Sequence, residues 1–210
     1  MPTIYGVIRS RASRPIWLCH EAGISFDHVP VIQGYRAAAA PGVMRSDSAA
    51  FRAVNTMGQI PALRDGDLVL TESLAICLHL ARAYGGALGP QGTAEAALAE
   101  NWALFAATAI EPDALAVLMP PEGDTAEAMA ARIARLHRPF AALEATLAGQ
   151  DWLMGGRFTV ADLMVAECLR YASGHAGLME AFPRVKDWLA RCHARPAFQK
   201  MWAARLAEPA

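Results

Sequence analysis

The hydrophobic period of this chain changes once, between residues 85 and 93, and that change limits what the chain can fold into. Before it, apolar residues come in short runs separated by turn-forming residues. After it, they recur at the 3.6-residue spacing of amphipathic helices. Such an order predicts a small α/β domain followed by an all-helical one. The 210 residues are enough for two separate cores. The boundaries read as 1–85 for the α/β domain, 86–92 (GALGPQG) for the linker and 93–210 for the helical bundle.

Within the first part, residues 3–8 form a β-rich apolar run that ends in the polar loop Arg9-Ser10-Arg11-Ala12. A helix is predicted from about Ser13, with serine as N-cap, Pro15 in the first turn and Gly23 at the stop. Residues 26–32 read as a second strand, and two parallel strands need a crossover helix, so the opening is a βαβ unit. Residues 34–48 form a long, alanine-rich connection with Pro41 and Gly42 in its middle. Residues 60–64, the turn RDGD and residues 68–70 give a hairpin, and residues 73–81 a helix ending near Gly85-Gly86. The order βαβ-ββα resembles that of a thioredoxin-like domain.

In the second part, Leu98, Trp102, Phe105 and Ala109 share one helical face, and Leu136, Phe140, Leu143 and Leu147 repeat the spacing. Asp124 and Glu127 read as a capping pair, while Pro112 and Pro139 should kink or end their helices. Thr159 and Asp162 open a helix that is apolar nearly all round and therefore buried. Two short amphipathic helices, 183–191 and 196–206, follow.

Composition removes several function classes. Lysine and arginine number 19 against 20 acidic residues, so no basic stripe exists to neutralise a nucleic acid backbone. Cys19, Cys77, Cys168 and Cys192 are far apart, form no CxxC pair, and point to a reduced, cytoplasmic protein without disulfides or a metal site. No apolar run approaches the ~18 residues of a membrane span, and the N-terminal apolar stretch is too short for a secretion signal.

The candidate chemistry centres on GQIPAL, residues 58–63. Proline cannot donate to a sheet ladder, so Pro61 does not belong inside a central strand. A cis Ile60–Pro61 bond would turn the N–H and C=O of Ile60 out of the sheet, free to pair with an extended peptide. Eleven to thirteen residues after Ile60, Thr71-Glu72-Ser73 opens a helix, whose free N–H groups and dipole suit a carboxylate. Ser73 adds a hydroxyl and Glu72 can accept from an ammonium, so together they fit the zwitterionic end of an amino acid. Tyr5, Ser10 and Ser13 are hydroxyls at or after the first strand. Tyr5 also reads as a strand aromatic, and Ser13 as an N-cap.

NTMGQIPAL followed by LTES resembles the glutathione-binding motif of the glutathione transferases, above all the phi-like, serine-type members and their bacterial relatives. FTVADLMVAE resembles that family's buried capping-box helix, and FPRVKDWLARCHARPAF its C-terminal signature, so the likeness spans nearly the whole chain. The resemblance implies glutathione as co-substrate, with Gln59 binding it, Ile60 pairing with its cysteinyl backbone, and Glu72 and Ser73 holding its γ-glutamyl end. It also implies a hydroxyl that stabilises the glutathione thiolate; Ser10 stands nearest the family's serine, and Tyr5 and Ser13 are the other candidates. Asn55-Thr56 replaces the family's usual Asn-Pro, and Arg36 and Arg45 are the basic residues available for the glycine carboxylate. The implied activity is attack of the thiolate on a small hydrophobic electrophile in a detoxifying homodimer. A glutathione-dependent disulfide reductase or isomerase, or a non-catalytic glutathione-binding member of the fold, are the alternatives.

Overall fold

A computed structural model of the chain describes residues 1–208. Two compact units result: Met1–Gly89 together with the chain from Arg195 onward, and Pro90–Ala194. In the first unit the elements run β1 (Thr3–Tyr5), α1 (Ser13–Ala22), β2 (Asp27–Val29), β3 (Val31–Ile32), β4 (Met44–Arg45), α2 (Ala49–Arg52), β5 (Ala62–Asp65), β6 (Leu68–Leu70) and α3 (Ser73–Tyr84). The four-stranded sheet has the order β2-β1-β5-β6. β1 is parallel to β2 (Thr3 opposite Asp27) and antiparallel to β5 (Thr3 opposite Arg64), as a βαβ-ββα chain requires. Asp65 faces Leu68 across the hairpin, whose first loop residue, Gly66, has φ +60°, the conformation a tight two-residue turn demands there.

One predicted strand is two. Residues 26–32 divide at Pro30, which has no N–H to extend the ladder; β2 stays in the main sheet, while β3 pairs in parallel with β4. The core between sheet and helices contains Ile4, Ile16, Leu18, Leu63, Ile76 and Leu80, all essentially inaccessible.

The second unit contains α4 (Gly92–Phe105), a π-helical turn (Ala106–Ile110), α5 (Glu111–Leu118), α6 (Ala126–Thr146), α7 (Val160–Leu169), α8 (Ala176–Ala181) and α9 (Pro183–His193). The π turn lies directly before Pro112, which sits in the first turn of α5 where its missing N–H costs nothing. Pro139 leaves α6 unbroken. The buried face of α4 and the π turn is not the one expected: Ala99, Ala103, Ala106 and Ile110 are buried, while Leu98 is 49 % exposed. Small residues bring α4 close to α7, whose ten residues are all buried and need a neighbour on every side. The cap of α6 also differs, because Thr125 accepts from the N–H of Ala128 at 3.1 Å, leaving Asp124 to pair with Arg132.

α10 (Pro196–Ala207) packs in the first unit, not with the other helices. Phe198 meets Trp17 of α1 edge-on at 5.0 Å, and Arg195 pairs with Glu21 at the far end of α1. Among the described residues no helix is long and apolar enough to cross a membrane.

Asp162 ties the helical unit together. One carboxylate oxygen accepts from the N–H and hydroxyl of Thr159 at 2.9 and 3.1 Å, completing the capping box. The other accepts from Leu153 N–H at 2.8 Å and Trp188 Nε1 at 3.0 Å. Burial pushes this carboxyl above its ordinary range, and the four donors pull the other way. Replacing Asp162 with alanine leaves several buried donors unmet and should cost about 3 kcal/mol or more, seen as a lower urea midpoint.

Candidate functional site

The site is built where two loops meet. Gly6 follows β1 with φ +137°, and a Cβ placed on it would stand 3.1 Å from that of Ala12 and 3.2 Å from that of Ile60. Only glycine allows that approach, which sets Ile60–Pro61 against the loop carrying Ser10. His28 Nε2 lies 2.7 Å from the Gly6 carbonyl and steadies the junction.

The Ile60–Pro61 bond is cis, and β5 begins only at Ala62. Among the described residues, neither backbone group of Ile60 has a hydrogen-bond partner. The segment before it is braced by Asn55, buried to 3 % exposure, whose carboxamide donates to Gln59 O at 2.7 Å and accepts from Met57 N–H at 3.1 Å. Gln59 keeps its side chain exposed.

Ser10 lies in an irregular turn, Ile8–Ala12, in which Arg9 and Ser10 leave helical geometry. Its hydroxyl donates to Val7 O at 2.6 Å and accepts from Ala12 N–H at 3.0 Å, directly before the N-terminus of α1. The other two hydroxyl candidates are placed differently. Tyr5 packs on Phe51, ring centres 6.3 Å apart, within the cluster of Val31, Phe51 and Ala62. Ser13 is wholly inaccessible as the first residue of α1, whose N-cap position is taken by Ala12.

Glu72 is the N-cap residue of α3 and is exposed; Ser73 is buried and accepts from Arg14 Nη1 at 2.9 Å. Arg14, itself 1 % exposed, thereby joins the first turn of α1 to the first turn of α3. Ser73 Oγ accepts that bond and keeps its own proton to donate. Arg45 is engaged with Asp47 at 2.6 Å, and Arg36 donates to Arg9 O at 3.0 Å, so Arg36 braces the Ser10 loop. Sequence reasoning missed Arg14 and Asn55 as braces. The signals were present as an arginine within an otherwise apolar helical run and an asparagine four residues before Gln59. Among the described residues, no three His, Cys, Asp or Glu side chains cluster closely enough for a metal ion.

The arrangement is thus a cis-proline loop, a hydroxyl at one helix start and a second helix start within one α/β unit. The family model for the N-terminal domain of glutathione S-transferases matches residues 5–88, and that for the C-terminal domain matches residues 105–196. The chain belongs to the glutathione transferase family. It is similar to glutathione S-transferase 1 of Zea mays, 32 % identical over 95 % of both chains. It is 34 % identical to glutathione S-transferase GstB of Escherichia coli, over 72 % of this chain and 76 % of that one. Among solved structures, the theta-class transferase of Xanthomonas axonopodis pv. citri, with glutathione bound, superposes with a TM-score of 0.75 at 31 % identity, covering 95 % of each chain.

The transferase's cis-proline loop depends on two residues beside it. A Cβ on Gly58, whose φ is +64°, would lie 2.8 Å from the Ser46 carbonyl oxygen. Asn55→Ala leaves Gln59 O and Met57 N–H unpaired and should lower stability by about 1–3 kcal/mol. Gly58→Ala combines backbone strain with that clash and should cost at least as much, both read as a drop in melting temperature.

Proposed function

We propose that glutathione lies with its cysteinyl backbone paired to Ile60, its γ-glutamyl end at Glu72 and Ser73, and its sulfur at the hydroxyl of Ser10. Gln59 borders the same stretch. The observation that carries this reading is the close approach at Gly6, which sets the Ile60 loop beside the Ser10 loop, with Arg14 linking that loop's helix to Ser73. A carboxylate at the start of α3 would meet unpaired N–H groups, the positive helix end and the Ser73 proton. The ammonium would meet Glu72.

The chemistry follows from the Ser10 hydroxyl. Its proton turns from Val7 O to the glutathione sulfur, while Ala12 N–H keeps donating to its oxygen. The start of α1 adds its dipole. Lowering a thiol pKa by ~2 units needs roughly 2.7 kcal/mol of preference for the thiolate, within reach of these effects together. The thiol proton passes to water. The thiolate then forms a sulfur–carbon bond with the electrophile, displacing a leaving group or opening a strained ring.

The chain's own thiols are poorly suited to act as nucleophiles. All four cysteines are buried and free, and burial pushes Cys19 up to about 12. This disfavours disulfide chemistry through a protein thiol, leaves conjugation and disulfide reduction by the glutathione thiolate to be separated by substrate, and accords with a reducing, cytoplasmic setting. A detoxifying role accords with the family.

Kinetics test the assignment. Ser10→Ala should lower turnover roughly ten- to a hundredfold and raise the thiol pKa seen by thiolate absorbance, leaving glutathione affinity nearly intact. Glu72→Ala should chiefly raise the Michaelis constant for glutathione. If Ser10→Ala is silent and Tyr5→Phe cripples turnover, the tyrosine is the donor. A panel of aryl halides, epoxides, peroxides and mixed disulfides identifies the electrophile class. A homodimer accords with the family; sedimentation showing only single chains at micromolar concentration would overturn it.

A further inference from the structure

Ile8 and Arg9, the two residues before Ser10, have every backbone polar group bonded to a charged side chain. The Ile8 N–H donates to Glu208 Oε1 at 2.8 Å and the Arg9 N–H to Oε2 at 2.7 Å. The Ile8 carbonyl accepts from Arg205 Nη1 at 2.5 Å and the Arg9 carbonyl from Arg36 Nη1 at 3.0 Å. Arg9 in turn donates from its guanidinium to the Glu208 carbonyl at 2.9 Å. Three of these four backbone bonds therefore come from the end of α10, about two hundred residues away in sequence.

The end of α10 is itself held. α10 runs antiparallel to α1: Arg195 at its start pairs with Glu21 near the end of α1, and Phe198 packs on Trp17. Phe198 stacks on Trp202, and Arg205 lies over the Trp202 ring at 5.4 Å. A rigid helix pair thus delivers a carboxylate to two adjacent amides, a bidentate, charge-assisted contact on a turn that leaves helical geometry at Arg9 and Ser10.

We infer that Glu208 is a positioning residue for thiolate formation, acting through the Ser10 loop. The inference rests on Ser10 as the donor to the glutathione sulfur. The Ser10 hydroxyl is aimed by Val7 O and Ala12 N–H, which flank the two residues Glu208 clamps. With the clamp in place, the oxygen stays where the sulfur meets it. The role is geometric, not electrostatic: a nearby negative charge by itself would disfavour a thiolate. The carboxylate is used here to hold two backbone N–H groups, while Arg9, Arg36 and Arg205 bond carbonyls of Glu208, Arg9 and Ile8.

That difference in sign makes the test decisive. Glu208→Ala should lower turnover about ten-fold while changing the Michaelis constant for glutathione less than about two-fold. It should raise the thiol pKa of bound glutathione and speed amide exchange at Ile8 and Arg9. Glu208→Gln, which keeps an acceptor, should fall between the two. In the Ser10→Ala background, Glu208→Ala should cost little more, because both act through one hydroxyl. Additive losses, a lowered thiol pKa or unchanged turnover in Glu208→Ala would each overturn the inference. Should Ser10→Ala itself be silent, the donor assignment fails and this inference with it. A crippled Ser10→Ala beside a silent Glu208→Ala overturns the inference alone.

Discussion

The two loops of the site touch at Gly6, and everything built around them depends on the absence of a side chain there. A single Cβ would stand 3.1 Å from Ala12 and 3.2 Å from Ile60, forcing apart the turn with the hydroxyl and the turn with the cis proline. Both contacts are tighter than ordinary packing, and a side chain would also strain the backbone at φ +137°. The displacement would pass into β1, whose neighbours β2 and β5 both pair with it.

α1 carries the consequences of that contact through the rest of the first unit. Its first turn holds Arg14, which reaches Ser73 at the start of α3; its middle presents Trp17 to Phe198; its end offers Glu21 to Arg195. A helix gripped at three levels is a stable base for the irregular turn before it. Arg14 combines burial with a hydrogen bond to Ser73, so a charged side chain is used where an apolar one would leave the buried Ser73 oxygen without that donor. The second unit follows another logic. Its helix α7 is buried on all sides, and the single carboxylate of Asp162 gathers donors from Thr159, Leu153 and Trp188 at its start.

Much of this was legible because it is local. Period and turn chemistry revealed the βαβ-ββα order, the hairpin at Gly66 and the Thr159–Asp162 cap, each decided by residues within a few positions of one another. The proline of QIP and the helix start at Ser73 are likewise local signals, and the glutathione transferase resemblance joined them into one motif. Pro30 was visible too, but its effect was not: the missing N–H ended one strand and sent the next two residues to another sheet.

What sequence by itself determined about this protein, then, is which elements form and which chemical groups they carry. Only the tertiary structure decided which of those groups are left accessible and which are packed away. Ser10 and Ser13 are equivalent as letters, but Ser13 is sealed in the core and Ser10 stands half-buried in an irregular turn. Leu98 and Ala99 both begin helical stripes, and close helix approach buried the alanine. Glu208 reached Ile8 and Arg9 because α10 folds back along α1. Such pairings arise from packing between distant segments, where sequence separation contains no information about distance.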